Sequence, residues 1–241
     1  FTVFLVLHAD ALAFYQVEIL KIVFACYGVG ALNFLISALP ESKIDPALNI
    51  SFDAAKANAI LDEAGWGVGA DGVREKDGQK LTVALWTQND SVFRRLTEVV
   101  QAQLKAVGFD PQIQTFDSST IRDQYKAGEH QLAVRSYFWN NADIVDWFFG
   151  GDRLGYPNVS MFNDPKAEEL RAKAMTGSKT AAEREANFKA YHEYVTSQFP
   201  YAPIYQPPQN MAYNKDRLEM PATIRGTSIW GGVMLDVNVK E

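Results

Sequence analysis

The sequence predicts an α/β fold in which a mainly parallel sheet is flanked by helices. Residues 80–87 and 109–116 are rich in β-forming residues and alternate in the manner of strands. Residues 90–107, between them, repeat apolar side chains with the period of a helix. A shorter helix and a third strand follow, over residues 118–127 and 130–139. Strands that alternate with helices at this spacing are typical of parallel sheets joined by right-handed crossovers.

The first fifty residues lead into this unit. FTVFLVL, at the start, predicts a buried strand, because seven apolar residues are too few to span a bilayer. The apolar spacing over residues 9–24 predicts one core-facing helix, which Gly28 and Gly30 end. Residues 33–50 contain two prolines and predict an irregular loop over the surface.

The segment ahead of the first strand predicts a helix and a hairpin. Asp53 is a good N-cap for AAKANAILDEAG, and Gly65 supplies the stop after that helix. Two Asp-Gly pairs within residues 67–78 predict tight turns. Residues 67–72 match the pattern GxGxxG, but they precede a predicted strand. A dinucleotide-binding loop instead precedes a helix, so no dinucleotide-binding site is predicted.

The C-terminal third predicts two more helices. Asp164 and Pro165 begin a helix that runs to about Met175, because Asp caps and Pro suits the first helical position. Residues 180–199 predict a long helix whose inward side chains are Phe188, Tyr191 and Val195. Residues 201–205 predict a strand, and the last 35 residues predict loop and short strand around Trp230.

Composition excludes several classes of protein. The chain has 241 residues, a net charge of −6 and a pI of about 5.2, so nothing favours nucleic acid or an anionic membrane as a partner. Cys26 is the single cysteine, so it can form neither an intrachain disulfide nor a thiolate metal site; we expect it to be buried. The start has no basic region or cleavage site, which suggests a mature or truncated protein.

Known catalytic patterns are also missing from the sequence. The three histidines, His8, His130 and His192, have no metal-ligand spacing, and there is no P-loop and no GxSxG turn. We therefore expect no catalytic residue, no metal and no cofactor. A Ser-His-Asp triad built from distant residues stays open, as does an α/β hydrolase-like enzyme.

Recognition chemistry is concentrated in residues 135–147, RSYFWNNADIVDW, at the end of the predicted third strand. Ligands of open α/β sheets bind beyond the carboxyl ends of the strands. The candidate ligand-binding residues are Arg135, Tyr137 and Trp139, placed on one face by strand alternation, and Asn140, Asn141 and Asp143 at the rim. Arg135 can hold a carboxylate, and Asp143 an amine or hydroxyl. Alternatively, the aromatic side chains are core and Asp143 only caps the next helix. Asp146 is expected to be solvated, with Trp147 packing behind the cleft.

Segments spread over most of the chain resemble the C-terminal lobe of the extracytoplasmic solute-binding proteins of ABC importers, in the peptide/nickel/opine class. They are ALAFYQVEILKIVFACYGVGA, DAAKANAILDEAGW, DGVREKDGQKLTVAL, LTEVVQAQLKAVGFDPQIQ, WNNADIVDWFF, NVSMFNDPKAEELRAKA and PYAPIYQ. The resemblance implies a periplasmic-binding-protein-like lobe of a two-lobed protein that closes on its ligand and docks on membrane permease subunits. Trp139 and Asp143 match cleft positions of the family, although their spacing of four, where peptide-binding members often have three, argues against a peptide.

This resemblance also implies a domain plan. Residues 1–50 lead from a first lobe that is absent from the sequence, residues 51–200 form the ligand-binding lobe, and residues 201–241 return towards the first lobe. The expected function is capture of a peptide or other small solute by a monomer, in the periplasm or on the extracellular face of the membrane, with a lipid anchor as an option. The alternatives are the hydrolase-like enzyme and a sensory ligand-binding lobe.

Overall fold

The computed structural model describes residues 2–139, 141–207, 212–220 and 237–240. The chain divides into two compact units, Phe1–Pro207 and Pro208–Glu241. Helices of the first unit are α1 (Thr2–Leu12), α2 (Gln16–Phe24), α3 (Ala54–Glu63), α4 (Ser91–Ala106), α5 (Ile121–Ala127), α6 (Asp143–Phe149), α7 (Pro165–Thr176) and α8 (Ala181–Ser197). Its strands are β1 (Val29–Gly30), β2 (Gly67–Val68), β3 (Arg74–Lys76), β4 (Gln79–Lys80), β5 (Thr82–Gln88), β6 (Asp110–Phe116), β7 (Leu132–Ala133) and β8 (Tyr205–Gln206). In the second unit, β9 (Leu218–Glu219) and β10 (Asn238–Val239) pair antiparallel.

A parallel sheet of order β6-β5-β7 lies at the centre of the first unit, which confirms the predicted α/β class. Its middle strand, β5, is buried on both faces. Val83 and Leu85 face a core built with α1 to α4. Ala84 and Trp86 face the opposite way, towards a smaller cluster that includes Tyr125 of α5. The alternation of β5 thus places helices on both sides of the sheet.

The helix α4 follows the sequence prediction closely. The carboxylate of Asp90 accepts hydrogen bonds from the N–H groups of Val92 and Phe93, at 2.9 and 3.3 Å. The apolar stripe buries Leu104 completely against the sheet. The chain then turns at Gly108, whose φ is +92° and where a Cβ atom would lie 2.6 Å from Cγ of Arg74. Only glycine fits this turn without strain.

The strands β2, β3 and β4 form an antiparallel sheet at the amino end of β5, where Arg74 ties four segments together. Its buried guanidinium donates to Asp62 Oδ1 and the Trp66 carbonyl, both at 2.5 Å. It also donates to the Val107 carbonyl at 3.0 Å and to Asn58 Oδ1 at 2.7 Å. This end of the sheet is held by internal bonds and serves as scaffold.

The start of the chain differs from its prediction. The expected strand over FTVFLVL is wrong, because residues 2–7 of that run belong to the helix α1. The expected single helix over residues 9–24 is two helices, separated where the Tyr15 N–H donates to Gln103 Oε1 at 3.1 Å. Ala9 and Ile19 are both fully buried in the main core with the helix α3. The helices α1 and α2 therefore share a core with the sheet.

Cys26 is exposed, so its expected burial is wrong. It follows the C-cap of α2, where Ala25 and Cys26 both take positive φ values, 47° and 65°. Residues 25–27 are all exposed where the chain leaves the helix, so the thiol lies at the surface. As expected, residues 33–50 are irregular, with 3-10 turns at Pro40–Ser42 and Pro46–Leu48.

The helices α6, α7 and α8 pack into a second cluster. Thr180 and Glu183 form a reciprocal capping box at the start of α8. Phe188, Tyr191 and Val195 are buried, as predicted.

The expected strand over residues 201–205 is limited to Tyr205 and Gln206, which pair with β1. The region around Trp230 lies outside the described residues. Among the helices of the described residues, none combines the length and apolar character needed to cross a membrane.

Candidate functional site

The candidate site begins where β7 leaves the sheet. The predicted strand over residues 130–139 is wrong beyond Leu132 and Ala133, although the Val134 N–H still donates to the Trp86 carbonyl at 2.9 Å. Residues 134–139 then continue beyond β7, which is parallel to β5, without regular secondary structure. The expected alternation of Arg135, Tyr137 and Trp139 on one strand face is therefore wrong as well. The loop divides these three side chains between two places.

Trp139 and Trp147 form an exposed aromatic pair at the start of α6. Their ring centroids lie 5.8 Å apart, and the two residues are 38% and 42% exposed. Asn141 holds the first indole in place, because its Oδ1 accepts from Trp139 Nε1 and from the Asp143 N–H, both at 3.0 Å. Asn140 lies outside the described residues. Two large aromatic side chains left in water at one edge of a core are typical of a recognition surface.

Asp143 carries a charge next to this pair and is already partnered. Its Oδ1 accepts a short hydrogen bond from Arg184 of α8, whose guanidinium also contacts Glu41 at 3.5 Å. The N-cap of α6 is Ala142, so Asp143 is not the cap that the alternative interpretation expected. Its Oδ2 accepts no hydrogen bond from the described residues. No sequence pattern linked Arg184 to Asp143, because they lie 41 positions apart.

Arg135 and Tyr137 meet at a second place. Arg135 Nε donates to the Tyr137 hydroxyl at 3.1 Å, and its guanidinium lies 5.1 Å from the centre of that ring. Tyr137 packs on Phe148 of α6 with centroids 3.8 Å apart. Burial raises the pKa of Tyr137 to about 12. The nearby charge of Arg135 lowers this pKa, but its effect is smaller than that of burial. The hydroxyl is therefore neutral and can donate.

Asp146 is buried, so the expectation that it is solvated is wrong. It is 2% exposed, and its two oxygens accept from Arg171 Nε at 2.5 Å and from Arg153 Nη1 at 2.8 Å. Arg171 belongs to α7, so this carboxylate joins α6 to its neighbour. Asp143 and Asp146 thus have different roles although they sit one helical turn apart. Trp147, expected to pack behind a cleft, is exposed instead.

The histidines do not assemble a metal centre. Within the part of the chain that the structure describes, no group of three or more His, Cys, Asp or Glu residues is placed to bind a metal ion. His192 is fully buried, and its Nδ1 lies 3.2 Å from the Glu41 carbonyl. His130 Nε2 lies 2.8 Å from the Val159 carbonyl. Both rings contribute to packing.

Comparison with known proteins fits this architecture. The family model "Bacterial extracellular solute-binding proteins, family 5 Middle" matches residues 8–153. The oligopeptide-binding protein AppA of Bacillus subtilis is 26% identical over 183 residues, which are 73% of this chain and 32% of AppA. The dipeptide-binding protein of Escherichia coli is 29% identical over 54% of this chain and 23% of its own length.

Solved structures agree on the fold. AppA in complex with a nonapeptide superimposes with a TM-score of 0.74 at 22% identity, over 85% of this chain and 42% of AppA. A dipeptide-binding protein from Pseudoalteromonas sp. SM9913, in complex with Met-Leu, gives 0.76 at 18% identity, over 98% of this chain and 45% of its own. The fold is therefore that of periplasmic binding proteins. The chain spans about a third or less of the length of the curated relatives it matches. Since the family model covers more than half of the sequence, the chain belongs to the bacterial extracellular solute-binding proteins of family 5.

Proposed function

We propose that this chain is part of the substrate-binding component of an ABC importer and captures a peptide or other small solute outside the cytoplasmic membrane. The bound solute is then delivered to membrane permease subunits, and no bond is made or broken. Family membership supports this assignment, as do relatives whose names describe oligopeptide, dipeptide and nickel binding. Residues 51–200 would supply the ligand-binding lobe, with residues 1–50 and 201–241 connecting it to another lobe.

The observation that carries the proposal is the exposed indole pair beyond the carboxyl end of the parallel sheet. Trp139 and Trp147 expose apolar area where ligands of open α/β sheets bind. A small-molecule site combines such area with a few fixed polar groups. Here Asn141 fixes the Trp139 ring, and Asp143 keeps one oxygen free of the described residues. The indoles would stack on the ligand while these groups set its orientation.

The assigned ligand-binding residues are Trp139, Asp143, Asn141, Asn140, Arg135 and Tyr137. Closure by a second lobe would bury them together with the ligand, as hinged binding proteins do. The proposal places the protein in the periplasm or on the outer face of the membrane, as a monomer. A lipid anchor, in a longer form of the chain, is compatible with that location.

Native mass spectrometry of protein purified without denaturation tests the proposal, since closed clefts can retain their ligand. A random tripeptide mixture, titrated while tryptophan fluorescence is recorded, gives a second measurement. Trp139→Ala should weaken binding by about fivefold or more, because a central aromatic contact is worth more than about 1 kcal/mol.

The matched control is Val68→Ala, which removes an exposed apolar side chain in β2 of the separate antiparallel sheet. This variant should bind like the original protein. Equal affinity of the Trp139→Ala and Val68→Ala proteins, both folded by circular dichroism, would rule out the indole as a binding residue.

A further inference from the structure

Both exposed tryptophans of the described residues belong to the indole pair. Trp139 and Trp147 are 38% and 42% exposed, whereas Trp86 is 2% exposed and the indole nitrogen of Trp66 is buried. An indole carries more apolar surface than most side chains, and two of them left in water beside each other are unusual on a soluble protein. The pair therefore indicates a surface that a solute covers.

The ring planes of the two indoles are inclined to each other. Their interplanar angle is 51° and their centroids lie 5.8 Å apart. Aromatic rings favour offset or tilted contacts at this separation, so the two indoles already form an aromatic contact. Because they are not stacked face to face, each indole keeps ring surface that a third ring can contact.

Trp147 is held by a guanidinium group from outside its helix. Arg153 belongs to the 3-10 turn Gly151–Arg153, and its Cζ lies 4.9 Å from the centre of the Trp147 ring. Its Nη1 donates to the carbonyl and to Oδ2 of Asp146, both at 2.8 Å. Since Asp146 directly precedes Trp147 in α6, Arg153 contacts both the backbone beside the indole and the indole itself. These contacts fix the orientation of the ring.

The charge of Arg153 is balanced within the protein. Asp146 is 2% exposed, and its other oxygen accepts from Arg171 Nε at 2.5 Å. Burying a carboxylate between two guanidinium groups costs desolvation, which an apolar packing of α6 would avoid. At the surface, this arrangement supplies a fixed planar cation over the Trp147 ring. Arg153 is therefore suited to orient the indole rather than to bind a charged group of the solute.

Trp139 is fixed by a different contact. Asn141 Oδ1 accepts from Trp139 Nε1 at 3.0 Å. Each indole of the pair thus has its own positioning contact, Asn141 for Trp139 and Arg153 for Trp147. Side chains that are already fixed lose little conformational entropy when a ligand binds, so this pair is preorganised for recognition.

We propose that Arg153 is a positioning residue for Trp147 and that the indole pair selects solutes that carry an aromatic ring. The inference rests on the proposed function and deepens it by naming the class of solute. Burial of apolar area alone treats leucine and phenylalanine side chains alike. A ring that contacts both indoles gains an aromatic interaction in addition, enough for a preference of about fivefold.

Two small probes test this selection directly. N-acetylphenylalanine amide and N-acetylleucine amide are each titrated to about 20 mM, a range suited to fragments of this size, while indole N–H signals are recorded by NMR. The phenylalanine probe should shift the Trp139 and Trp147 signals in a saturable way and bind about fivefold more tightly than the leucine probe. Equal affinities, or no saturable shift with the phenylalanine probe, would overturn the selection.

Replacing one indole locates the preference. Trp147→Leu should abolish it, because this variant removes the second ring and keeps an apolar side chain. The control Phe52→Leu makes a comparable change at another exposed aromatic residue, ahead of α3, and should keep the preference. Both side chains are exposed, so both variants should fold. A fivefold preference that persists in Trp147→Leu protein would show that the pair does not select the ring.

Arg153→Lys separates positioning from structural support. Lysine keeps a positive charge for Asp146 but lacks the planar group that lies over the Trp147 ring. The phenylalanine preference should fall to about twofold, and the circular dichroism that the two indoles generate together should weaken. A purely structural role would move only the urea midpoint. Folded Arg153→Lys protein with the full preference and an unchanged indole signal would refute the positioning role.

The outcomes separate this inference from the proposed function. If the tripeptides Ala-Phe-Ala and Ala-Leu-Ala bind at Trp139 with equal affinity, ring selection is wrong and solute capture stands. If the phenylalanine probe binds at the indole pair but no tripeptide binds, ring selection stands and the result counts against peptide capture.

Discussion

Asp146→Asn should lower the free energy of unfolding by about 3 kcal/mol, because it removes the charge that two arginines share. Asp146 is 2% exposed, with Arg171 at 2.5 Å and Arg153 at 2.8 Å from its oxygens. Removing one partner of a buried ion pair costs about 3 to 5 kcal/mol. We use the lower value of this range, because Arg171 still contacts the carboxylates of Glu168 and Asp152, both at 2.8 Å, after the substitution.

Equilibrium unfolding in urea measures this loss as a lower midpoint at unchanged slope. The matched control is Asp123→Asn, which makes the same chemical change in an exposed ion pair with Lys126 and should leave the midpoint within error. A double-mutant cycle with Arg171→Met isolates the coupling across the α6–α7 contact. If Asp146→Asn shifts the midpoint no more than Asp123→Asn does, the buried network is not what holds α6 in place.

Two further predictions concern stability. Burial lowers the pKa of His192 to about 4 from 6.5, so the unfolded chain binds its proton more readily between these values and stability falls as pH drops through that window. Between pH 7 and pH 4, the free energy of unfolding should therefore fall by about 3 kcal/mol less in His192→Gln than in the original protein. Urea midpoints of both proteins at the two pH values measure this difference. Gly108→Ala should cost about 1 to 3 kcal/mol more than Gly72→Ala, since both take positive φ but only the Gly108 methyl meets Arg74. Equal thermal midpoints for the two alanine variants would contradict that clash.

The sheet and its helices were predictable because local signals agreed with tertiary packing. Asp90 and Asp164 each accept two backbone hydrogen bonds at the helix starts where they were expected. The first residues were not predictable in the same way. FTVFLVL is apolar at every position, so its pattern fits a buried strand as well as a buried helix. Packing of α1 against α3 decides between them, and that contact joins segments about fifty residues apart.

The candidate site was predictable as a segment but not as a geometry. Residues 135–147 were identified from their composition, and their described members follow β7, which is parallel to β5. Strand alternation misplaced Trp139 because the chain leaves the sheet after Ala133 and Tyr137 packs on Phe148. The role of Asp146 depends on Arg153 and on Arg171, 25 positions away. The local pattern of apolar and polar residues cannot reveal a contact between residues that lie so far apart in the sequence.

The outward-facing thiol of Cys26 has a practical consequence. It is the single cysteine of the chain and is exposed at the end of α2, just before the segment that pairs with β8. A maleimide dye would therefore attach at one known position without any substitution in the protein. Energy transfer from the tryptophans to that dye could then be tested as a reporter of ligand capture in the native sequence.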